Sequence, residues 1–219
     1  MINIIRDTSR GAIAPNDIKG VALSGGVDSM TLLSFLRNEK RPRCIKAFFF
    51  DHCTQTSREA REFVSDYCNE KDIPLTIGRV TGSKPNRDSW EEYWRNQRYG
   101  WLHQQEFIIA TAHHLNDVAE TYIWGMAHGQ PRIIRYRKPK PNETDTLIVR
   151  PLLLTPKAEL YDWCHRHNVP YLEDQTNEDT KYVRNRIRQN IMPEMLQVNP
   201  GFLKVMARQV EREYENGYY

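Results

Sequence analysis

Val21-Ala22-Leu23-Ser24-Gly25-Gly26-Val27-Asp28-Ser29-Met30 is an apolar run that breaks into a turn of small residues and then resumes with helical periodicity. The pattern predicts strand, phosphate loop and helix, in that order. Gly25 and Gly26 carry no Cβ, so positive φ costs little there and backbone N–H groups can approach an anion closely. Val27, Leu32, Leu33 and Leu36 give the next segment an apolar helical face. A phosphate would then lie at a helix N-terminus, where unpaired N–H groups and the macrodipole favour negative charge. Asp28 suits a Mg²⁺ bridging phosphate oxygens, since that ion takes oxygen ligands. The Ser24 and Ser29 hydroxyls can donate to the same oxygens. No Lys-Ser/Thr pair closes the loop, which excludes the Walker pattern. A ligand-free glycine turn is the plainer alternative.

At 219 residues the chain suits one good-sized domain with a small appendage. Its 39% hydrophobic and 27% charged residues are those of an ordinary soluble protein. No run of eighteen apolar residues and no basic-then-apolar N-terminus occur, so neither a membrane span nor a signal peptide is expected, and the expected address is cytoplasmic. The net charge of +3, from 31 Lys+Arg against 28 Asp+Glu, does not by itself announce a nucleic-acid binder. Its distribution says more: Arg132, Arg135, Arg137, Lys138 and Lys140 crowd one segment, and Lys181, Arg184, Arg186 and Arg188 another. Such local patches neutralise phosphates or simply form a solvated surface. Cys44, Cys53, Cys68 and Cys164 are too widely spaced for a metal knuckle.

Buried strands are expected at Ile18 to Leu23, Arg43 to Phe50, Ile73 to Val80, Glu106 to Thr111 and Leu147 to Leu154, with helical patterns between them. That alternation argues for a doubly wound, mostly parallel α/β sheet. Asp51-His52 ends the second strand, at the edge where such sheets bind ligands; a strand-end cap is the bland alternative. Ser89 and Glu92 form a capping-box pattern for a helix on which Arg95 and Arg98 share a face. After the fourth strand come His113-His114, then Asp117 and Glu120 at i and i+3 on one helical face, a pair that can hold a metal or a cationic amine. Zinc at the histidine pair lacks a third ligand at usable spacing. Gln130 to Thr146 reads as a long basic loop. An amphipathic helix with an arginine face follows around Arg184 to Leu196, and Phe202 to Tyr214 closes the chain.

The loop Ser24 to Ser29 resembles that of the ATP pyrophosphatases, which split ATP into AMP and pyrophosphate to adenylate an oxygen. Taken with Asp51-His52, Glu91-x-x-x-Arg95-x-x-Arg98-Tyr99, Thr111-Ala112-His113-His114 through Glu120-Thr121, and the tail Arg150-Pro151-Leu152-Leu153, Glu173-Asp174, Asn177, Asp179, Arg184-Asn185-Arg186-Ile187-Arg188, Pro193 and Asn199-Pro200, the chain resembles the tRNA(Ile)-lysidine synthetase family. The tail separates that family from other ATP pyrophosphatases. Two departures are the Asn116 that precedes Asp117, where the family often has Asp, and the basic loop that replaces a glycine-rich turn. The family also usually continues into C-terminal domains that grip tRNA, a role that the basic loop, dimerisation or a partner would have to fill.

The resemblance implies a PP-loop ATP-binding catalytic domain over residues 1–180 and a C-terminal helical extension over 181–219. It implies a ligase that uses ATP and Mg²⁺ to join free L-lysine to the wobble cytidine in the anticodon loop of a CAU-anticodon isoleucine tRNA. Ser24, Gly25, Gly26, Val27, Asp28 and Ser29 would hold the nucleotide phosphates, with Asp28 on the metal; Asp51, His52 and His113 would complete the nucleotide site. Asp117 and Glu120 would bind the lysine amines, His114 is a candidate base, and Arg184 would take the lysine carboxylate or a phosphate. Arg95, Arg98, Arg132, Arg135, Arg137, Arg186 and Arg188 would contact RNA. The competing readings are another adenylating enzyme, a tRNA thiolase or amide ligase, and a non-catalytic RNA-binding relic.

Overall fold

The computed structural model describes residue 2 and residues 17–38, 44–85, 89–138, 148–173 and 183–215. Its strands are β1 (Gly20–Leu23), β2 (Lys46–Asp51), β3 (Leu75–Arg79), β4 (Ile109–Ala110), β5 (Arg137–Lys138) and β6 (Ile148–Val149). They form one sheet in the order β3-β2-β1-β4-β6-β5. The first five in that order are parallel, with Val21 of β1 in register with both Ala47 and Ala110. β5 pairs antiparallel with β6 at the edge.

The helices are α1 (Val27–Arg37), α2 (Gln55–Glu70), α3 (Trp90–His103), α4 (Leu115–Ala127), α5 (Lys157–His167), α6 (Val183–Arg186), α7 (Met192–Val198) and α8 (Phe202–Glu215); a π-helical turn, Ile187–Ile191, joins α6 to α7. Helices on both faces explain why the strands read as continuous apolar runs rather than alternating ones. On β2 the period of two sends neighbouring phenylalanines to different layers. Phe49 packs with Val21, Leu33 and Val64, while Phe48 packs with Tyr99, Leu102 and Ile109. The Thr31 hydroxyl, fully buried, donates to the Leu160 carbonyl at 3.0 Å and ties α1 to α5.

β1 leads outward to β2 and β3 on one side, and β4 and β6 lie on the other, so the strand order reverses between β1 and β4. In open parallel sheets the crevice at such a reversal, beyond the strands' carboxyl ends, is where ligands bind. The loops leaving β1 (residues 24–26) and β4 (residues 111–114) flank that crevice. Every later feature of the site depends on this adjacency.

Several expected elements are shorter. Among the described residues of these stretches, only Ile109–Ala110 of the fourth expected strand and Ile148–Val149 of the last are strands; in the last, Pro151 has no N–H for a ladder and the chain turns there. The expected basic loop partly forms β5; the Arg150 N–H donates to the Tyr136 carbonyl beside it. The leading arm, residues 174–182 with Lys181, and Lys140 lie outside the described residues, apart from Ile2 and Asp17. Ser89 caps α3 as expected, its hydroxyl accepting the Glu92 N–H at 3.1 Å.

α8 lays Phe202 and Met206 against Leu115, Ala119 and Ile123 of α4, with Ile187 and Met192 completing the cluster. The closing helix therefore braces the helix that carries Asp117 and Glu120. Phe202→Ala should cost about 3 kcal/mol of stability, the usual scale for emptying a buried phenylalanine site, measurable as a lower urea midpoint at unchanged slope.

Candidate active site at the β1–β4 crevice

The β1 loop is held by its own side chains. Only Gly25 has positive φ, at 85°, while Gly26 is extended at −76° and serves as the N-cap of α1. The expectation that both glycines relieve backbone strain is therefore corrected: Gly26 leaves open space instead, since a Cβ there would meet nothing nearer than the Ser24 hydroxyl at 3.6 Å. Ser29 is buried, and its hydroxyl donates to the Gly26 carbonyl at 3.0 Å while accepting the Ser24 N–H at 3.1 Å. It shapes the loop rather than presenting a free donor; Ser24 is the exposed hydroxyl. From behind, the Leu172 N–H donates to the Gly25 carbonyl at 2.9 Å.

Three helix N-termini meet in front of this loop. Lys157, at the start of α5, places Nζ 2.6 and 2.8 Å from the two carboxylate oxygens of Asp28. Asn116 of α4 accepts the Lys157 backbone N–H at 2.9 Å, so the residue that stands where the family often has Asp caps a neighbouring helix. His114 is buried, with Nε2 3.7 Å from Asp28 and 3.6 Å from Asp117. Asp117 accepts the His114 backbone N–H at 3.0 Å. Arg188, from the π-helical turn, donates through Nε and Nη2 to the two oxygens of Glu120 at 2.8 and 3.0 Å, and reaches Asp117 at 3.8 Å.

Burial alone would raise the Asp117 pKa, but His114, His113, the backbone donor and Arg184 outweigh it and hold the carboxyl below its ordinary value. The hydrogen bonds that Arg188 donates to Glu120 push it further toward its charged form. Three carboxylates, Asp28, Asp117 and Glu120, thus gather in the crevice, with Lys157 bonded to Asp28, Arg188 bonded to Glu120, and Arg184 near enough to act on Asp117.

Residues 9–195 match the model of the PP-loop domain. The chain belongs to the PP-loop domain family. It is 38% identical over 192 residues to the tRNA(Ile)-lysidine synthase of Thermotoga maritima, covering 82% of this chain and 45% of that protein. Against the enzyme of the same name from Lactiplantibacillus plantarum it is 32% identical over 205 residues, 89% of this chain and 46% of the relative. The chain thus spans about half the length of the curated relatives it matches. Among solved structures, the U34-tRNA thiolase NcsA from Methanococcus maripaludis superposes with a TM-score of 0.75 at 17% identity over 94% of this chain and 75% of its own, a likeness of fold.

Other expected residues of this PP-loop chain take different places. Asp51 does not face a ligand: 1% exposed, it accepts from the Cys53 N–H and Ser57 hydroxyl at 2.8 Å each and from Arg61 at 3.0 Å, with Arg79 at 3.5 Å. Burial raises its pKa, but these partners outweigh burial and hold it low. It is a strand-end cap. His52 is half-buried between Phe50 and Trp94, at ring-centroid distances of 5.2 and 5.5 Å, and its buried Nδ1 has no hydrogen-bond partner among the described residues. His113 bonds the Thr111 hydroxyl through Nδ1 at 3.0 Å.

Arg95 and Arg98 lie 5.3 and 5.4 Å from the Tyr99 ring centre, half-buried rather than displayed to solvent as an RNA surface. Arg188 is likewise withdrawn from the expected RNA face by its bond to Glu120. Arg184 stays exposed, 3.8 Å from Glu91, and Arg186 and Arg135 are also exposed, while Arg137 is half-buried in β5. Among the described residues no three His, Cys, Asp or Glu side chains gather as a metal site, which disposes of zinc at the histidine pair there. No helix among them is long and apolar enough to cross a membrane. Lys157 is the site residue that the sequence reading missed; a lone lysine at a helix start carries no local signal.

Burial, aided by Arg98, depresses the His52 pKa to about 4, and burial depresses that of His113 to about 3. Each binds its proton more weakly in the folded chain than at the ordinary value of about 6.5, so protonation favours unfolding. Stability should therefore fall as pH drops from 6.5 toward 4, with a further loss below about 3.9 as Asp51 is protonated. Denaturant midpoints across pH check this, and His52→Asn should make the decline between 6.5 and 4 shallower.

Proposed function

We propose that the chain is the catalytic part of an ATP-dependent ligase that joins L-lysine to the wobble cytidine of a CAU-anticodon isoleucine tRNA, with release of AMP and pyrophosphate. The observation that carries the reading is the pairing across one crevice of an open, self-braced phosphate loop with a cluster of three carboxylates, Asp28, Asp117 and Glu120. The relatives' names supply the reaction. ATP, lysine and the tRNA are its substrates on this reading.

The backbone amides around Gly25 and Gly26 and the Ser24 hydroxyl receive the pyrophosphate, with the N-terminus of α1 behind it. Asp28 would hold Mg²⁺ as its single protein carboxylate beside phosphate oxygens, an ordinary coordination for this ion, and bound Mg²⁺ supplies neutralising charge there. Lys157, now on Asp28, is then within reach of the same oxygens. Cytidine O2 attacks the α-phosphorus and pyrophosphate leaves; the neutral ε-amine of lysine next attacks C2, AMP leaves and a proton is lost. Asp117 with Glu120 holds the ammonium groups once Arg188 shares its carboxylate. His114 and Asp117 are the groups placed to accept the proton.

For a thiolase chemistry Cys68 and Cys164 are unsuited, being buried, with burial pushing Cys68 up to about 11, far from a reactive thiolate; Cys44 and Cys53 are the exposed thiols.

Incubation with ATP, labelled lysine and unmodified isoleucine tRNA followed by nucleoside analysis tests the proposal, with labelled lysidine expected. Glu120→Gln, which keeps the shape and removes the charge, should lower lysine transfer by about 100-fold while tRNA-dependent pyrophosphate release persists, in keeping with loss of one charged partner of the amine. Loss of both steps together would contradict the assignment of Glu120 to the amine.

A further inference from the structure

Beside Glu120 the crevice opens into a cleft of about 440 Å³ between α3, α4 and α6, within the size range of small-ligand sites. One wall is a stack in which Arg132, expected to contact RNA, meets two rings that no expected site includes. Trp124 and His128, one turn apart on α4, lie with ring centroids 4.3 Å apart and planes 30° from parallel. The Arg132 guanidinium stands 4.9 Å from the Trp124 ring centre. Trp124 is 36% exposed, unusual for a side chain of its size.

The stack is built, not incidental. Gly129 adopts φ of 68° and turns the chain at the end of α4, and the Gln130 N–H returns to the Gly125 carbonyl at 2.8 Å. Gly125 makes that return possible, for a Cβ there would collide with the Gln130 carbonyl oxygen and crowd the Arg132 nitrogen at 3.2 Å. The sequence Trp124-Gly125 thus sets a flat ring beside a backbone groove that brings Arg132 back over it. The imidazole side chain is held too, Nδ1 of His128 lying 2.7 Å from the Trp124 carbonyl oxygen.

Resting on the ligase reading, we infer that this stack is a nucleobase platform, which holds one unpaired base of the RNA substrate in the cleft next to the amine site. The chemistry selects that occupant. Flat aromatic and guanidinium planes are the surfaces on which single-stranded RNA bases stack. Both acids of the cleft are already engaged, Glu91 near Arg184 and Glu120 with Arg188, so Arg132 presents positive charge toward the flanking phosphate. A stack of this kind is sequence-tolerant, so it positions the loop rather than reading its sequence.

The test is the affinity of the full chain for a fluorescent stem-loop RNA with a CAU loop, by anisotropy, without ATP or lysine. Trp124→Ala should weaken binding by roughly 5- to 100-fold, the scale of one lost base–aromatic stack, with the salt dependence of affinity unchanged because no phosphate contact is removed. Trp124→Phe should restore most of it, which separates lost stacking from lost folding. In a series of RNAs each abasic at one loop position, one position should make the Trp124→Ala penalty vanish. Unchanged affinity in Trp124→Ala, no rescue by Phe, or an equal penalty on every abasic RNA would each overturn the platform. If wild type forms no lysidine yet shows this pattern, the platform stands and the ligase reading falls; lysidine formation with no Trp124 effect on affinity overturns the platform alone.

Discussion

The parallel pairing of β1 with β4 is the constraint from which the site follows. It brings the carboxyl ends of two strands distant in the chain side by side, with Gly20 in register with Ile109. Because both faces of the sheet are covered, the loops have nowhere to place their polar groups but the edge. Ser24 to Gly26 and Thr111 to His114 therefore open onto one crevice, and α1, α4 and α5 all point their N-termini at it. The opposed charges, Asp28 with Lys157 and Glu120 with Arg188, close the cleft only in part.

At Glu120 the ion pair borders an open cleft. Asp51 shows the other case: each carboxylate oxygen is bonded, the side chain is almost wholly buried, and Arg61 and Arg79 supply its charge partners. Its work is to close the turn after β2, not to wait for a ligand. At Glu120 the partner comes from the π-helical turn after α6, an irregularity of helix pitch often associated with function. The position of Arg188 therefore depends on how α6 to α8 pack on α4, which links the closing helices to the chemistry rather than leaving them as an appendage.

The strand–loop–helix around Ser24 to Ser29 was legible in the sequence because its signal is local: small residues at the turn, apolar ones at helical spacing behind it. The placement of Asp117 and Glu120 on one face was legible for the same reason. The pairing of Lys157 with Asp28, 129 residues away, was not, nor that of Arg188 with Glu120 across 68 residues, since nothing in periodicity ties such distant positions together. The sequence left Arg95 and Arg98 open between ligand gripping and solvent exposure because helical spacing says which residues share a face, not which face is covered; both lie half-buried against Tyr99. The basic segment after α4 hid β5 because an edge strand of two residues carries no pattern of its own.

Amide hydrogen exchange of the chain with and without Mg²⁺ and a non-hydrolysable ATP analogue tests the central claim most directly. The account predicts that nucleotide uptake slows exchange at the amides of Gly25 to Ser29 and of His113 to Asp117 together, because both loops close on one ligand. Uptake that protects neither loop, or protects a segment away from the β1–β4 edge instead, would contradict it.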